Sequence, residues 1–153
     1  MAVENFKMEQ FEKAVLTGNA TWWQMQLPSG SVIFGENKAK MLGYSEEMFK
    51  TYKDFMKLVH PEDNEKAMQA MRDHMAGKTE VYETIYRIKN KDGKYIKFYD
   101  CGQIIKKEGD ELTIMGFVMK VLNDQDIFEQ MKNFKDLIIS GNPSVVDLVA
   151  KIK

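Results

Sequence analysis

Few side chains in this sequence are of the types that carry out catalysis or bind metals. There are two histidines, His60 and His74, and a single cysteine, Cys101. His60 directly precedes Pro61 at an expected helix start, so we assign it to capping rather than to general-base chemistry. One cysteine excludes an internal disulfide and any site that needs several thiolates, and its place on a predicted strand indicates a buried thiol.

Carboxylates and arginine offer two further places for chemistry. Asp100 is the only carboxylate in the middle of an apolar-rich predicted strand. If it is buried with a raised pKa, it favours a small α+β enzyme that resembles ketosteroid isomerase, whose sites need a buried carboxylate. Glu83 and Arg87 share one face of another predicted strand, where we expect a surface salt bridge.

Catalytic motifs and strong charge imbalance are both missing from the sequence. It has no Gly-x-Ser-x-Gly elbow, phosphate-binding glycine-rich loop, His-Glu-x-x-His or Cys-x-x-Cys. The 22 Lys and Arg residues nearly balance the 23 Asp and Glu residues, so there is no electrostatic reason to expect nucleic acid or an anionic membrane as a partner. Residues 14–35 are uncharged but too polar to span a bilayer. We expect a cytoplasmic protein that is not an enzyme.

The first third of the chain predicts a helix followed by a β-hairpin. Residues 2–16 have helical spacing and one apolar stripe, formed by Met8, Phe11 and Val15. Residues 21–27 and 31–36 flank a Pro-Ser-Gly turn. Trp22 points away from the core side of the first strand and needs covering, which the stripe would supply within the chain or across a dimer.

The rest of the chain predicts helices, then strands, then helices again. Short helices and one longer helix ending at Gly77 occupy the middle, and three strands follow between residues 80 and 122. The last helix carries an apolar stripe with the 4, 3, 4 spacing of a heptad pattern, which predicts that it packs against another helix. The stripe consists of Ile127, Met131, Phe134 and Ile138. This order of elements predicts an α+β fold with a five-stranded antiparallel sheet and short helices over one face.

Five motifs, in order and with familiar spacing, resemble those of a PAS domain of the sensory-box subtype found in bacterial and archaeal signalling proteins. They are Trp23-x-Met25-x-Leu27-x-x-Gly30, Leu42-Gly43-Tyr44-Ser45-x-Glu47, Leu58-Val59-His60-Pro61-Glu62-Asp63, Tyr86-Arg87-Ile88 with Asp92-Gly93, and Gly116. On this resemblance we divide the chain into an N-terminal flanking helix (1–18), a PAS domain (19–122) and C-terminal output or dimerisation helices (123–153).

The resemblance implies a sensory or regulatory module that holds a small ligand or cofactor between sheet and helices, or holds nothing. It further implies action through flanking helices and homodimer contacts on a histidine kinase or another effector. In haem-binding members a histidine of the long helix ligates iron, so His74 is a candidate haem ligand; the alternative is a surface histidine near a helix end. The cysteine motif of the flavin photoreceptor branch is absent, which leaves flavin without a cysteine adduct, or no cofactor.

Methionine and aromatic side chains are the candidates for lining a ligand pocket, because methionine adapts to irregular and changing shapes. Core packing is the competing explanation at each position. The candidates are Trp23, Met25, Phe34, Phe55, Met68, Met71, Tyr86, Phe98, Met115 and Phe117. The sequence therefore predicts a ligand-binding signalling module, with a ligand-free docking module as the alternative.

The predicted role of the C-terminal helix in self-association and signal output can be tested at Phe134. Replacing Phe134 with Glu should weaken self-association and leave the core folded, because the change places a charge in an apolar helix–helix contact. Sedimentation velocity measures this directly, and an unchanged sedimentation profile would count against readout through the C-terminal helix.

Overall fold

The computed structural model describes residues 19–35 and 37–121, together with residue 132. Its strands are Ala20–Leu27 (β1), Val32–Phe34 (β2), Tyr82–Lys89 (β3), Tyr95–Glu108 (β4) and Glu111–Lys120 (β5). Its helices are Asn37–Lys40 (α1), Tyr52–Met56 (α2) and Pro61–Met75 (α3), and a short 3-10 turn covers Glu46–Met48. The described strands form one antiparallel sheet in the order β2-β1-β5-β4-β3, which confirms the predicted fold class.

The alternating pattern of β1 sorts its side chains onto two faces of the sheet. Trp23 and Met25 are buried on the inner face, where they meet the helices and the central strands. Trp22 is half-buried on the opposite, outer face, where it pairs across the strands with Phe117. The face that carries Trp23 therefore holds the core, as the alternation predicts.

Proline and histidine define the start of α3. Pro61 occupies the first turn, where its missing N–H costs no hydrogen bond, and His60 Nδ1 accepts a hydrogen bond from the backbone N–H of Glu62 at 3.1 Å. The predicted capping role of His60 is confirmed. Because the cap fixes where α3 begins, it also fixes which side chains of this helix face the sheet.

Arg87 binds the first turn of α3 and not the neighbour that the strand pattern suggested. Its guanidinium donates to both carboxylate oxygens of Asp63 at 2.8 and 2.9 Å, and its backbone N–H donates to Asp63 at 2.8 Å. Glu83 instead accepts a hydrogen bond from the hydroxyl of Tyr99 at 2.5 Å. The predicted Glu83–Arg87 pair is therefore wrong, because the carboxylate of Asp63 reaches Arg87 from another element with better geometry.

The predicted output stripes lie outside the described residues: Met8, Phe11, Val15, Ile127, Met131, Phe134 and Ile138. Among the residues that are described, no helix has the length and apolar character needed to cross a bilayer.

The ion pair between Asp63 and Arg87 joins α3 to β3, and its contribution can be measured. Asp63→Asn should lower the free energy of unfolding at pH 7 by about 2 kcal/mol, because three charge-assisted hydrogen bonds are weakened. Arg87 holds the pKa of Asp63 down from 3.8 to about 2, so this stabilisation is complete above pH 3.8 and is lost as the pH falls toward 2. Urea denaturation at several pH values measures both effects.

The matched control is the exposed ion pair between Glu65 and Arg72 on α3. Glu65→Gln should change stability by less than about 1 kcal/mol, because solvent screens an exposed pair. Equal effects of Asp63→Asn and Glu65→Gln would contradict the argument.

Candidate functional site

A cavity of about 290 Å³ lies between the inner face of the sheet and the helices. Its walls come from every layer of the fold: β1 and β2, all three helices, β3 and β4. Arg72 and Met75 are the exposed members of the lining, so the cavity reaches solvent beside the last turns of α3. A space of this size can hold a small organic ligand.

Six of the ten candidate pocket residues line this cavity: Trp23, Met25, Phe55, Met68, Met71 and Tyr86. They come from β1, α2, α3 and β3, and the fold brings them around one space. The structure does not test whether they bind a ligand, so their binding role stays a prediction.

The other four candidates do not line the cavity. Phe34 packs edge-on against Phe55, with ring centroids 5.4 Å apart, and Phe98 is fully buried, with its ring edge-on to that of Tyr86. Met115 and Phe117 lie on the outer face of the sheet, because they alternate with the inner-face residues of β5. All four were candidates because of their residue type. Met115 and Phe117 face away from the cavity because side chains alternate along a strand, and Phe34 and Phe98 pack against other aromatic rings.

A buried carboxylate forms the polar centre of the cavity. Asp100 is only 5% exposed, and its Oδ1 accepts a hydrogen bond from the indole Nε1 of Trp23 at 2.6 Å. Its Oδ2 accepts from the hydroxyl of Tyr86 at 2.9 Å. Three strands thus meet at one carboxyl group, and both of its oxygens are satisfied by the protein.

Two glycines make room for the indole that reaches Asp100. In the row of residues that crosses the inner face, Trp23 stands opposite Gly116, and Gly116 stands opposite Gly102. A Cβ at Gly116 would lie 2.6 Å from the indole of Trp23, and one at Gly102 would lie 3.0 Å from it. The ring therefore lies across two strands where side chains are absent, and meets Tyr82 edge-on at 6.0 Å between centroids.

Lys38 is a cavity residue that the sequence analysis did not identify as a candidate. It is 6% exposed and lines the cavity, with its Nζ 4.1 Å from the ring centroid of Phe55. Burial lowers the pKa of Lys38 from 10.5 to about 8, and the charge of Asp100 opposes that decrease. No signal in the four-residue helix α1 indicates which of its lysines is buried, because so short a helix has no measurable periodicity.

The ionisable groups around Lys38 shift in pKa for one main reason, which is burial. Burial raises the pKa of Asp100, while the charge of Lys38 and the hydrogen bonds from Tyr86 and Trp23 oppose the increase. Burial, together with the charge of Asp100, also raises the pKa values of Tyr82 and Tyr86 well above 10.0. The cavity thus encloses one amine and one carboxyl group whose charges compensate each other.

His74 has a different role from either sequence interpretation. Its side chain is 8% exposed, so it is not a surface histidine. Its Nε2 accepts a hydrogen bond from the backbone N–H of Ile104 at 3.1 Å, which leaves Nδ1 to donate to the carbonyl of Thr79 at 3.0 Å. Both ring nitrogens are engaged by the backbone and His74 does not line the cavity, so the arrangement does not fit a haem ligand. Among the described residues, no three His, Cys, Asp or Glu side chains are grouped to hold a metal ion.

The buried amine of Lys38 should be visible in the pH dependence of stability. The folded chain releases the Lys38 proton near pH 8 and the unfolded chain near pH 10.5. The unfolded state binds more protons between these values, so stability contributed through Lys38 rises with pH there. Relative to Lys38→Met, the free energy of unfolding of the wild type should therefore rise by about 3 kcal/mol between pH 7.5 and 10.5.

Comparison with the variant cancels the titration of Tyr82 and Tyr86, which both proteins share. The exposed Lys53 gives the matched control, since Lys53→Met should leave the pH dependence of the wild type unchanged. Parallel stability curves for wild type and Lys38→Met would show that the amine is not desolvated.

The fold is similar to that of several solved structures. The chain is similar to a sensory box histidine kinase/response regulator from Burkholderia thailandensis, with 19% identity, a TM-score of 0.61, and 84% of this chain and 96% of that chain covered. It is similar to the N-terminal domain of a diguanylate cyclase with a PAS/PAC sensor from Marinobacter aquaeolei, with 22% identity, a TM-score of 0.59 and coverage of 66% and 94%.

A third similar structure is the PAS-B domain of Drosophila melanogaster Cycle with bound ethylene glycol, at 18% identity, a TM-score of 0.55 and coverage of 66% and 99%. None of the curated proteins compared with the chain matches it. The family model described as PAS fold matches residues 32–118, which is more than half of the chain. The chain belongs to the PAS family, whose domains are sensory modules of signalling proteins.

Proposed function

We propose that this PAS domain is a signal-sensing module whose cavity binds a small, largely apolar ligand. The observation that carries the proposal is the cavity of about 290 Å³, which opens beside α3 and whose largely apolar lining includes the buried Lys38 and Asp100. Two ionisable groups taken out of water at one place are costly to a fold, and functional sites are where such costs are concentrated.

Methionines on α3 make one wall of this cavity adaptable. Met68, Met71 and Met75 line the cavity from successive turns of the helix, with Met75 at its opening. An unbranched thioether side chain repacks around different shapes at low cost, which suits a wall that changes with occupancy. The opposite wall is held by the hydrogen bonds that join Trp23 and Tyr86 to Asp100.

Charge inside the cavity favours an electrically neutral ligand. The ammonium of Lys38 and the carboxylate of Asp100 compensate each other, so an anion or a cation would leave one net charge buried. A neutral molecule with an apolar body and a hydrogen-bonding group avoids that cost. The ethylene glycol bound in the PAS-B domain of Cycle is likewise an electrically neutral molecule.

Relay of the signal is proposed to run through the flanking segments of a homodimer to a histidine kinase or another effector domain in the cytoplasm. The outer face of the sheet offers apolar surface for such contacts at Trp22 and Met115. A ligand biases this relay only through different affinities for two arrangements of the module. The similarity to a sensory box histidine kinase supports this choice of effector.

A second candidate function, a small enzyme with an acid or base in the cavity, is favoured by Asp100. Its side chain is buried and its pKa is raised, as such an enzyme requires. Against it, both oxygens of the carboxylate accept hydrogen bonds from Trp23 and Tyr86. These bonds stabilise the ionised form and reduce its strength as a base.

Ligand binding can be tested with 3-phenylpropan-1-ol, a neutral apolar alcohol. We expect it to raise the thermal midpoint of the wild type in proportion to the logarithm of its concentration. Met71→Trp should abolish the increase, because the indole would fill the cavity beside Met71. Met48→Trp is the matched control, since Met48 is 56% exposed and does not line the cavity.

The results of this experiment distinguish the ligand-binding module from the ligand-free docking module and from the enzyme. Equal midpoint shifts in the wild type and Met71→Trp would contradict binding in this cavity. No shift in any of the three proteins, together with no small molecule retained in native mass spectrometry, would favour the ligand-free docking module. Chemical conversion of a neutral ligand that native mass spectrometry detects on the purified protein would favour the enzyme.

A further inference from the structure

The charge of Lys38 compensates that of Asp100, but the ammonium makes no hydrogen bond to this carboxylate, whose two oxygens accept from Trp23 and Tyr86. Its ammonium lies against the ring of Phe55 and 5.8 Å from the indole centroid of Trp23. Within the described part of the chain, Lys38 Nζ forms no hydrogen bond, and burial and the charge of Asp100 are the influences on its pKa. Three N–H donors thus lie in a largely apolar cavity, over the aromatic faces of Phe55 and Trp23.

An ammonium without acceptors is destabilised relative to the free amine, because the charged form loses most when water is removed. The pKa of about 8 agrees with this geometry. Desolvation of this kind is one of the ways in which a protein activates a lysine as a nucleophile toward carbonyl compounds. Other ionisable groups of the same lining are Asp100 on β4, Tyr82 and Tyr86 on β3, Tyr52 on α2 and Arg72 on α3.

Charge balance decides which ligand chemistry suits this amine. A carboxylate ligand would supply acceptors to Lys38, but it would place a second negative charge beside Asp100. An aldehyde is neutral, and the iminium that it forms with a lysine carries the same single positive charge as the ammonium it replaces. The iminium also has one N–H in place of three, so fewer donors remain unsatisfied.

We propose that Lys38 is the covalent attachment site for a small apolar aldehyde, which the module holds as a reversible Schiff base. This inference rests on the proposed function, because the aldehyde must first enter the cavity. The free amine attacks the carbonyl carbon and forms a C–N bond, while the C=O π electrons move to oxygen. Two protons reach that oxygen, one from the attacking nitrogen and one that the Lys38 ammonium released when it became the free amine. The oxygen leaves as water, and the nitrogen lone pair completes the C=N bond of the iminium.

The negative charge of Asp100 compensates the ammonium of the unreacted lysine and the iminium of the product alike, so the two charged forms need the same counter-charge. The apolar body of the aldehyde would replace water against the wall that includes Met68 and Met71. At pH 8 about half of Lys38 is free amine, whereas only roughly one in three hundred molecules of an ordinary exposed lysine is. Attachment should therefore be selective for Lys38.

The test uses the full chain at pH 8, with substoichiometric 3-phenylpropanal and cyanoborohydride to trap the imine. Intact-mass and peptide-mapping mass spectrometry should find at least about tenfold more adduct on Lys38 than on any exposed lysine. Lys38→Met should lose this adduct, and Lys53→Met, which removes an exposed lysine, should keep it. Excess 3-phenylpropan-1-ol, which has no electrophilic carbon, should suppress the adduct on Lys38 but not those on exposed lysines.

A second measurement does not depend on the variants. The rate of adduct formation on Lys38 in the wild type should rise with pH to a midpoint near 8. Adduct spread evenly over the lysines, or a midpoint near 10.5, would overturn the inference. If 3-phenylpropan-1-ol stabilises the protein and Lys38 stays unmodified, covalent attachment is excluded and the proposed ligand binding stands. If neither is observed, both fail.

Discussion

Placing a carboxyl group in the middle of an apolar sheet is the constraint on which the rest of this structure depends. Asp100 is only 5% exposed, so the fold must replace most of its hydration with hydrogen-bond donors and a compensating charge. Trp23 on β1 and Tyr86 on β3 supply the donors, and Lys38 on α1 supplies the charge. One residue of β4 thereby fixes the positions of side chains from three other elements.

The two inner-face glycines follow from the same constraint. Trp23 can reach Asp100 only if its indole lies flat across β5 and β4, and any side chain at Gly116 or Gly102 would occupy that space. The cost of glycine in a strand, which is lost backbone entropy and lost packing, is offset by the contact of the whole indole with the sheet. The hydrogen bond between Trp23 and Asp100 therefore requires glycine at both positions.

Sequence reasoning succeeded where local patterns carry the information and failed where partners are distant. Alternation placed Trp23 and Trp22 on the correct faces of β1, and Pro61 located the start of α3. The burial of Asp100 could be anticipated from its apolar neighbours. Lys38 could not be found, because an isolated lysine is normally solvated and its burial depends on the space left between α1, α2 and the sheet.

The error at Arg87 has the same physical origin. The alternation of side chains puts Glu83 and Arg87 on one face of the strand. It identifies neighbours within that strand only, and cannot show that the first turn of a distant helix packs beside Arg87. The first turn of α3 presents Asp63 to both the backbone and the side chain of Arg87, a multidentate arrangement that a flanking residue on the same strand cannot match.

The cavity has one constrained wall and one adaptable wall, and this difference has a consequence for movement. On the sheet side, hydrogen bonds to Asp100 hold Trp23 and Tyr86 in one arrangement. On the helix side, methionine side chains of α3 make the contacts and can repack. A change in cavity contents is therefore accommodated first by α3.

Displacement of α3 cannot remain local, because each end of the helix is bonded to the sheet. Near its beginning, Asp63 binds Arg87 of β3, and near its end, His74 accepts the backbone N–H of Ile104 in β4. These two strands form one side of the sheet, with β3 at its edge. A shift or tilt of α3 thus acts on β3 and β4 at two separate points, while the Trp23–Asp100 bond holds β4 to β1 across the centre of the sheet. On the proposed function, in which a ligand enters the cavity, repacking of a few thioether side chains would therefore strain one edge of the sheet at the hydrogen bonds that hold α3 to β3 and β4.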